Sequence, residues 1–324
     1  MKKLSIFICL LSGLIISAVP FIKSPETEIS NGLIRARLYL PDPDSGYYRG
    51  SRFDWSGVIA SLDYNGHHYF GQWFKEYSPT LHDAILGPVE AFDPVGYEEA
   101  KNGERFIKVG IGVLSKTDEL PYAFVKPYPI INAGKWKVTT KPDQVQFIHS
   151  LQDKFYSYGY EKTVKLIKNK PQMVLTHTLK NTGQRTLETA VYNHNFFVMD
   201  DQTTGPGFTV TFPFALPGEV SNEMKDLVQF RDHQMFFLKE LDPKEHVFFR
   251  DLTAGATADY NIKIENRKTG AAVKITCDKP ISKMVFWCAS TTVCPEPFIK
   301  IKIDPGKEFS WKITYEFYEC SIVK

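Results

Sequence analysis

The chain has 324 residues, 43% of them hydrophobic and 14% aromatic, with 39 lysines and arginines against 37 acidic residues. That is enough apolar material for one large core or two small ones, and no Ser/Gly-rich or charge-blocked linker divides it, so a single domain is expected. The basic residues are scattered, which excludes the concentrated basic face that nucleic acid or an anionic membrane surface requires and points to an uncharged partner.

Lys2 and Lys3 open the chain, an uncharged run follows from Leu4 to Ala18, and polarity returns by Lys23. The run is well short of the ~20 residues a spanning helix needs. Residues 1–18 are therefore read as a signal peptide, and the mature protein as periplasmic or secreted, with no stable membrane insertion after leader removal. Cys9 lies in the middle of the run, not at its end, which argues against a lipid-anchored start. Removal takes away two lysines and no acid, leaving 37 basic against 37 acidic residues. Four cysteines then remain, Cys277, Cys288, Cys294 and Cys320. They allow three pairings, which the sequence leaves open beside the alternative of buried free thiols. No C-x-x-C pair or nearby histidine spacing supports zinc.

Along the rest of the chain, alternation of apolar and polar residues marks strands with one buried face at 33–40, 106–111 and 136–139. Asn65-Gly66 closes a hairpin at 62–69. Residues 160–197 read as three runs joined by turns at Lys168-Asn169-Lys170-Pro171 and Asn181-Thr182-Gly183, which predicts an antiparallel meander. No stretch supports a helix of more than two turns. The expected fold class is all-β, a large antiparallel β-sandwich over residues 19–324.

Four segments bear on chemistry, in a definite order. They are Tyr-Arg-Gly-Ser-Arg-Phe-Asp-Trp-Ser-Gly at 48–57, Leu-His-Asp-Ala at 81–84, Tyr-Asn-His-Asn-Phe-Phe at 192–197, and Val-Cys-Pro-Glu-Pro-Phe at 293–298 with a closing Pro305-Gly306-Lys307-Glu308. The series resembles the aldose 1-epimerase (galactose mutarotase-like) family over roughly residues 30–318. The family carries an Arg-bearing loop and hairpin, Leu-His-Gly-Gly, Asn-His-x-Tyr/Phe-Phe, a Glu-Pro segment and a Pro-Gly-Glu strand in the same order. The resemblance implies the galactose mutarotase-like supersandwich, with His194 as general acid and Glu296 as general base. It further implies His82, Arg52 and, less directly, Asp232 as sugar ligands, with Arg49 a weaker candidate than Arg52. It implies a carbohydrate partner, mono- or oligosaccharide, and no cofactor or metal.

Elementary chemistry supplies a reason for those roles. Exchanging the anomers of an aldose requires the C1 hydroxyl to lose a proton while the ring oxygen gains one, so that the ring opens, C1 rotates and the ring recloses. A carboxylate and an imidazole suit the two tasks because both can be tuned to exchange protons near neutral pH. Trp55, Trp73 or Phe196 are candidates to stack on the sugar. Asp200-Asp201 reads as a turn, and His67 and His68 as solvated residues beside the hairpin tip.

The chain also departs from the family. Leu-His-Asp-Ala replaces Leu-His-Gly-Gly, which brings Asp83 toward the site, and Phe53-Asp54-Trp55 replaces the usual Asn-Arg after the loop arginine. The spacing of His82 and His194 calls for extra loops around 90–135. These changes leave open a noncatalytic carbohydrate-binding protein on the same fold. A polysaccharide lyase or hydrolase would need a tyrosine-centred site or a second catalytic carboxylate. A hexose-6-phosphate epimerase is disfavoured because no compact basic cluster is evident. The sequence does not fix the sugar or the oligomeric state.

Overall fold

The computed structural model describes residues 23–323, so the expected leader lies outside the described residues. These form twenty-two strands and no helix. The first eight are β1 (Glu26–Ser30), β2 (Ile34–Tyr39), β3 (Val58–Tyr64), β4 (His67–Phe70), β5 (Gly87–Phe92), β6 (Arg105–Lys108), β7 (Gly112–Ser115) and β8 (Ile130–Asn132). There follow β9 (Lys135–Lys141), β10 (Gln144–Leu151), β11 (Tyr158–Leu166), β12 (Gln172–Asn181), β13 (Leu187–Phe196), β14 (Phe208–Thr211), β15 (Val228–Arg231) and β16 (Gln234–Phe237). The last are β17 (His246–Phe249), β18 (Asn261–Asn266), β19 (Ala271–Cys277), β20 (Lys283–Ala289), β21 (Thr292–Ile303) and β22 (Glu308–Glu319).

A ten-stranded sheet (β15-β16-β14-β18-β19-β22-β12-β11-β10-β9) packs against a five-stranded one (β17-β20-β21-β13-β5), with a four-stranded sheet (β1 to β4) and a three-stranded one (β6 to β8) beside them. Every strand pairing is antiparallel, as the alternation predicted. The inward residues of β12 and β22, among them Leu175, Ile313 and Phe317, meet Val191, Met284 and Ile301 of the five-stranded sheet in one continuous core. Each such side chain contributes roughly 1.5–3 kcal/mol of hydrophobic stabilisation on burial.

The hairpin at Asn65-Gly66 forms as expected, with φ of 51° and 83° at the two turn residues, the left-handed pair a type I′ turn needs. The meander does not hold at its last strand. β11 and β12 pair, but β13 leaves them and pairs with β21 and β5 in the other sheet. Asn181 explains the crossing. Its Nδ2 donates to the carbonyls of Arg185 and Ile303, both at 2.8 Å, which lays the chain beside the end of β21 instead of turning it back. The return crossing from β21 to β22 is tied to the same residue, since Gly306 N donates to Asn181 O and Asn181 N to Lys307 O, both at 2.9 Å.

β5 and the second half of β13 are buried on both faces, a pattern proper to strands sandwiched between two layers. Where extra loops were expected around 90–135, the segment instead builds the three-stranded sheet β6 to β8 and forms an outer layer. There Tyr97, Phe106 and Tyr128 pack with Phe53, Val89 and Phe196 in a second, aromatic core. Cys277, Cys288, Cys294 and Cys320 are all free thiols, so none of the three possible pairings is made. No helix of the described residues is long and apolar enough to cross a membrane.

Candidate active site

The outer face of the five-stranded sheet is the floor of a cavity of about 480 Å³. Side chains alternate across a strand, so Tyr192, His194 and Phe196 of β13 reach the cavity together, as do Glu296 and Phe298 of β21 and Lys283, Val285 and Trp287 of β20. Tyr192 pairs with Phe298, and the same antiparallel register carried two residues further sets His194 opposite Glu296.

His194 Nε2 lies 3.3 Å from Glu296 Oε1, and both side chains are nearly fully buried. His194 Nδ1 is 2.7 Å from Cys294 Sγ. Burial, reinforced by the Glu296 carboxylate, keeps the Cys294 thiol protonated, well above its ordinary pKa. The Glu296 carboxyl, held protonated by burial, donates to Nε2, which leaves the ring hydrogen on Nδ1, donated to Cys294 Sγ. The ring is held in place by stacking on Phe196, with centroids 3.9 Å apart, and Phe196 stacks in turn on Trp73 at 4.7 Å.

Burial acts on the two groups in opposite directions. It pushes the Glu296 carboxyl up to about 7, although Arg52 pulls the other way, and it holds the His194 imidazolium well below its usual range, with Arg52 adding to the effect. The resting pair is thus poised near neutrality with one labile proton. A carboxyl with a displaced pKa beside an imidazole in a cleft is the arrangement expected of acid–base chemistry.

Arg52 is buried between the rings of Phe53 and Phe124, at 4.5 and 4.1 Å from their centroids, and donates to the Tyr192 hydroxyl at 3.4 Å. It also pairs with Asp83. Asp83 lines the cavity and joins Arg52 to His82, whose Nε2 lies 2.8 Å from its other oxygen. The Asp of Leu-His-Asp-Ala is therefore a bridge between the two residues the sequence nominated. His82 itself stands behind Asp83 and does not line the cavity.

Other nominations land elsewhere. Asp232 occupies the left-handed turn of the β15–β16 hairpin with φ 54°, at the edge of the ten-stranded sheet, and its side chain is exposed. It is not part of this site: a turn of that kind selects Asp for its backbone, not for a ligand. Arg49 reaches the Asp44 carbonyl instead of the cavity. Trp55 is buried and donates to the Gly50 carbonyl, so it presents no face to a ligand. Phe196 has both faces taken by His194 and Trp73. His68 is exposed as read, but His67 is largely buried against Asp200, 2.9 Å away. Among the described residues no group of three or more His, Cys, Asp and Glu is placed to hold a metal ion.

No protein-family model and no curated protein matches the chain. Solved structures do match it. A candidate aldose 1-epimerase from Escherichia coli K12 is 13% identical, covers 91% of this chain and 100% of its own, and superposes with a TM-score of 0.56. The aldose epimerase homologue from C. elegans is 15% identical over 92% of this chain and 100% of its own, with a TM-score of 0.54. A galactose mutarotase-like protein from Lactobacillus casei is 12% identical over 90% and 100%, with a TM-score of 0.53. The chain has the galactose mutarotase-like fold.

On that fold the cavity carries residues that the motifs did not single out. Lys108 is buried, and its ammonium donates to the Arg52 carbonyl at 2.7 Å and to the Tyr122 hydroxyl at 2.8 Å. Burial, with Arg52 nearby, pushes its pKa down to about 7. Lys283 and Arg250 line the opposite side, so four cations, Arg52, Lys108, Arg250 and Lys283, surround one cavity. That corrects the reading that no basic cluster is present. The cluster is assembled from four separate segments and is invisible along the chain. Tyr192, Trp287 and Phe298 were within reach of period-two reasoning, because each stands two residues from a nominated or cavity-facing position.

Proposed function

We propose that this protein is an aldose 1-epimerase-like mutarotase, an exported enzyme that interconverts the anomers of a free sugar or of an oligosaccharide reducing end. The observation that carries the reading is the His194–Glu296 pair, 3.3 Å apart on the floor of a cavity of about 480 Å³. The C1 hydroxyl oxygen and the ring oxygen of a cyclic aldose are bonded to the same carbon, so a base and an acid that close together can address both.

Transfer of the pair's labile proton from Glu296 to His194 yields a carboxylate and an imidazolium. The carboxylate takes the proton of the C1 hydroxyl as Nε2–H protonates the ring oxygen; the C1–ring oxygen bond breaks and C1 becomes the aldehyde. The pair is then back in its resting protonation, with the proton on Glu296 and His194 neutral. Rotation about C1–C2 and the reverse transfers close the ring on the other face. General acid–base catalysis of this kind is typically worth 10²–10⁴ in rate. Arg52, held by Asp83 and Tyr192, is placed to donate to sugar hydroxyls, and Trp287 offers an aromatic surface to the ring.

NMR exchange spectroscopy between α and β anomers over a panel of aldoses and uronates tests the reading. Anomer exchange above the spontaneous rate is expected. Sugar binding with no catalysed exchange would leave the chain a carbohydrate-binding protein. Intact mass of protein from its native host, expected to lack roughly the first 18 to 24 residues, tests export.

A further inference from the structure

The charges around the cavity are not equally committed. Arg52 is paired with Asp83, and two of the three ammonium hydrogens of Lys108 are used by Arg52 and Tyr122. Lys283 and Arg250 differ: among the described residues neither has a carboxylate within 4 Å, and no hydrogen bond of either side chain is made within the protein. The acids facing the same space are Asp83, Asp93 and Glu296. Asp83 is taken, and Glu296 is held toward its neutral form by burial. Asp93 alone is left to answer Lys283, Arg250 and the third hydrogen of Lys108.

The register sets the scale. Val285 pairs with Glu296, and Lys283 stands two residues further along the same strand, which puts its Cα about 8 Å from that of Glu296 at ordinary strand spacing and rise. Phe249 pairs with Phe286, so Arg250, the next residue, follows β17 two strands from Glu296, about 10 Å away. A sugar whose C1 lies against His194 and Glu296 extends its far substituents toward these cations. The other end of the floor is closed by Trp73 and Trp287, whose rings meet edge to face at 5.3 Å. At the opposite end Lys283 stands over the ring of Phe298, 5.0 Å from its centroid, beside Tyr192, so the cations lie at that end and not at the tryptophans.

Resting on the mutarotase reading, we propose that the sugar carries an anionic group remote from C1, a carboxylate or a phosphate, and that Lys283 and Arg250, backed by Lys108, are its specificity-determining residues. The small net charge of the whole chain, +2, is no obstacle, since the cavity concentrates cations that the surface elsewhere offsets.

Glucose, glucuronate and glucose 6-phosphate share one ring and differ at C6, so they isolate the group in question. Anomer exchange by NMR and binding by calorimetry are measured for each with the mature protein. The expected result is a kcat/KM and an affinity at least 10-fold higher for one or both anionic sugars than for glucose, falling as salt is raised. The uronate and phosphate arms decide which anion is preferred. Lys283→Gln and Arg250→Gln should each cut that preference by roughly tenfold, and Lys283→Arg should restore part of it. Equal or better exchange and binding with glucose, unaltered in its ratio by either variant, overturns the anionic preference while leaving the mutarotase reading intact. Absence of exchange on all three sugars overturns the mutarotase reading, and calorimetry then still decides the preference.

Discussion

Two histidine–glutamate pairs flank the five-stranded sheet, one bridging its inner face to the ten-stranded sheet and one on its outer face, and their difference shows what sets a structural pair apart from the one proposed to react. On the inner face His177 Nε2 lies 2.8 Å from Glu90 Oε1, a spacing close to the 3.3 Å of His194 and Glu296. Glu90 is also held by the Lys162 ammonium and by Asn193 Nδ2 at 3.2 Å, and His177 lies flat on Trp311 with centroids 4.4 Å apart. Burial alone would raise the pKa of Glu90, yet Lys162 and then His177 outweigh it and keep the carboxylate ionised below its ordinary value. Glu296 faces a cavity with no ammonium in contact, and burial wins. Asn193 and His194, neighbours in sequence, serve the two pairs separately because a strand sends successive side chains to opposite faces. Saturation by donors, not residue type, separates a clamp from a reacting pair.

The largest effect that could break this distinction is catalytic. Glu296→Gln and His194→Asn should each lower kcat by roughly 10²-fold or more while the protein stays folded, and the double variant should be little worse than either alone, because both act in one proton-transfer unit. Glu90→Gln, measured per folded molecule, should retain most of the activity. Anomer-exchange rates for the three single variants check this, and equal losses at Glu90 and Glu296 would erase the contrast.

The same substitution on the inner face should instead be felt in stability. Glu90→Gln leaves the buried Lys162 ammonium without its counterion, and removal of one member of a buried ion pair costs about 3–5 kcal/mol. Denaturant unfolding of Glu90→Gln against Glu296→Gln measures it. Adding Lys162→Met to Glu90→Gln should recover part of the loss.

Alternation and turn chemistry made the strands and the Asn65-Gly66 hairpin legible in the sequence, and the order of the four motifs, through the family they resemble, nominated His194 and Glu296. The crossing of β13 was not, because a strand buried on both faces reads like any apolar run, and the anchoring of Asn181 to Ile303 spans more than a hundred residues. Arg52 and Asp83 were visible as candidates, but their pairing required the fold. Lys108, Arg250 and Lys283 carry no local signature at all, since a lone lysine or arginine beside a strand is ordinarily a solvated residue. Asp232 shows the reverse error, where a turn-forming aspartate resembles a ligand in sequence.

A comparable effect, opposite in sign, should follow pH at the outer pair. The folded-state pKa of Glu296 is about 7, above its ordinary 4.5, so the folded protein binds that proton more tightly than the unfolded chain. Its contribution is complete below about pH 4.5 and is lost as pH rises through 7, on the order of 3 kcal/mol. His194, lowered in the fold, works the other way, costing stability as pH falls below 6.5. Glu296→Gln keeps only the histidine slope. The stability of this variant minus that of the wild type should therefore grow from near zero at pH 4.5 to its full value by pH 8. Unfolding free energies at several pH values test this, and a pH-independent difference would contradict the buried, neutral resting carboxyl.

The smallest effect concerns Cys294, which touches His194 and takes no part in proton transfer to the sugar. Its sulfur accepts from Nδ1–H and so favours the tautomer with a free Nε2 toward Glu296. Cys294→Ala removes that acceptor and lets the ring place its hydrogen on Nε2, where it blocks transfer of the Glu296 proton to the ring. Loss of one neutral hydrogen bond is worth about 1 kcal/mol, which corresponds to roughly a fivefold fall in kcat. Cys294→Ser keeps an acceptor, its Oγ, in the same direction and should recover most of the rate, whereas a merely packing role would leave Ser and Ala alike. The ¹⁵N chemical shifts of the His194 ring report the tautomer independently of rate. A ring that stays protonated at Nδ1 in Cys294→Ala would show that Phe196 and Glu296 hold it without help from the thiol.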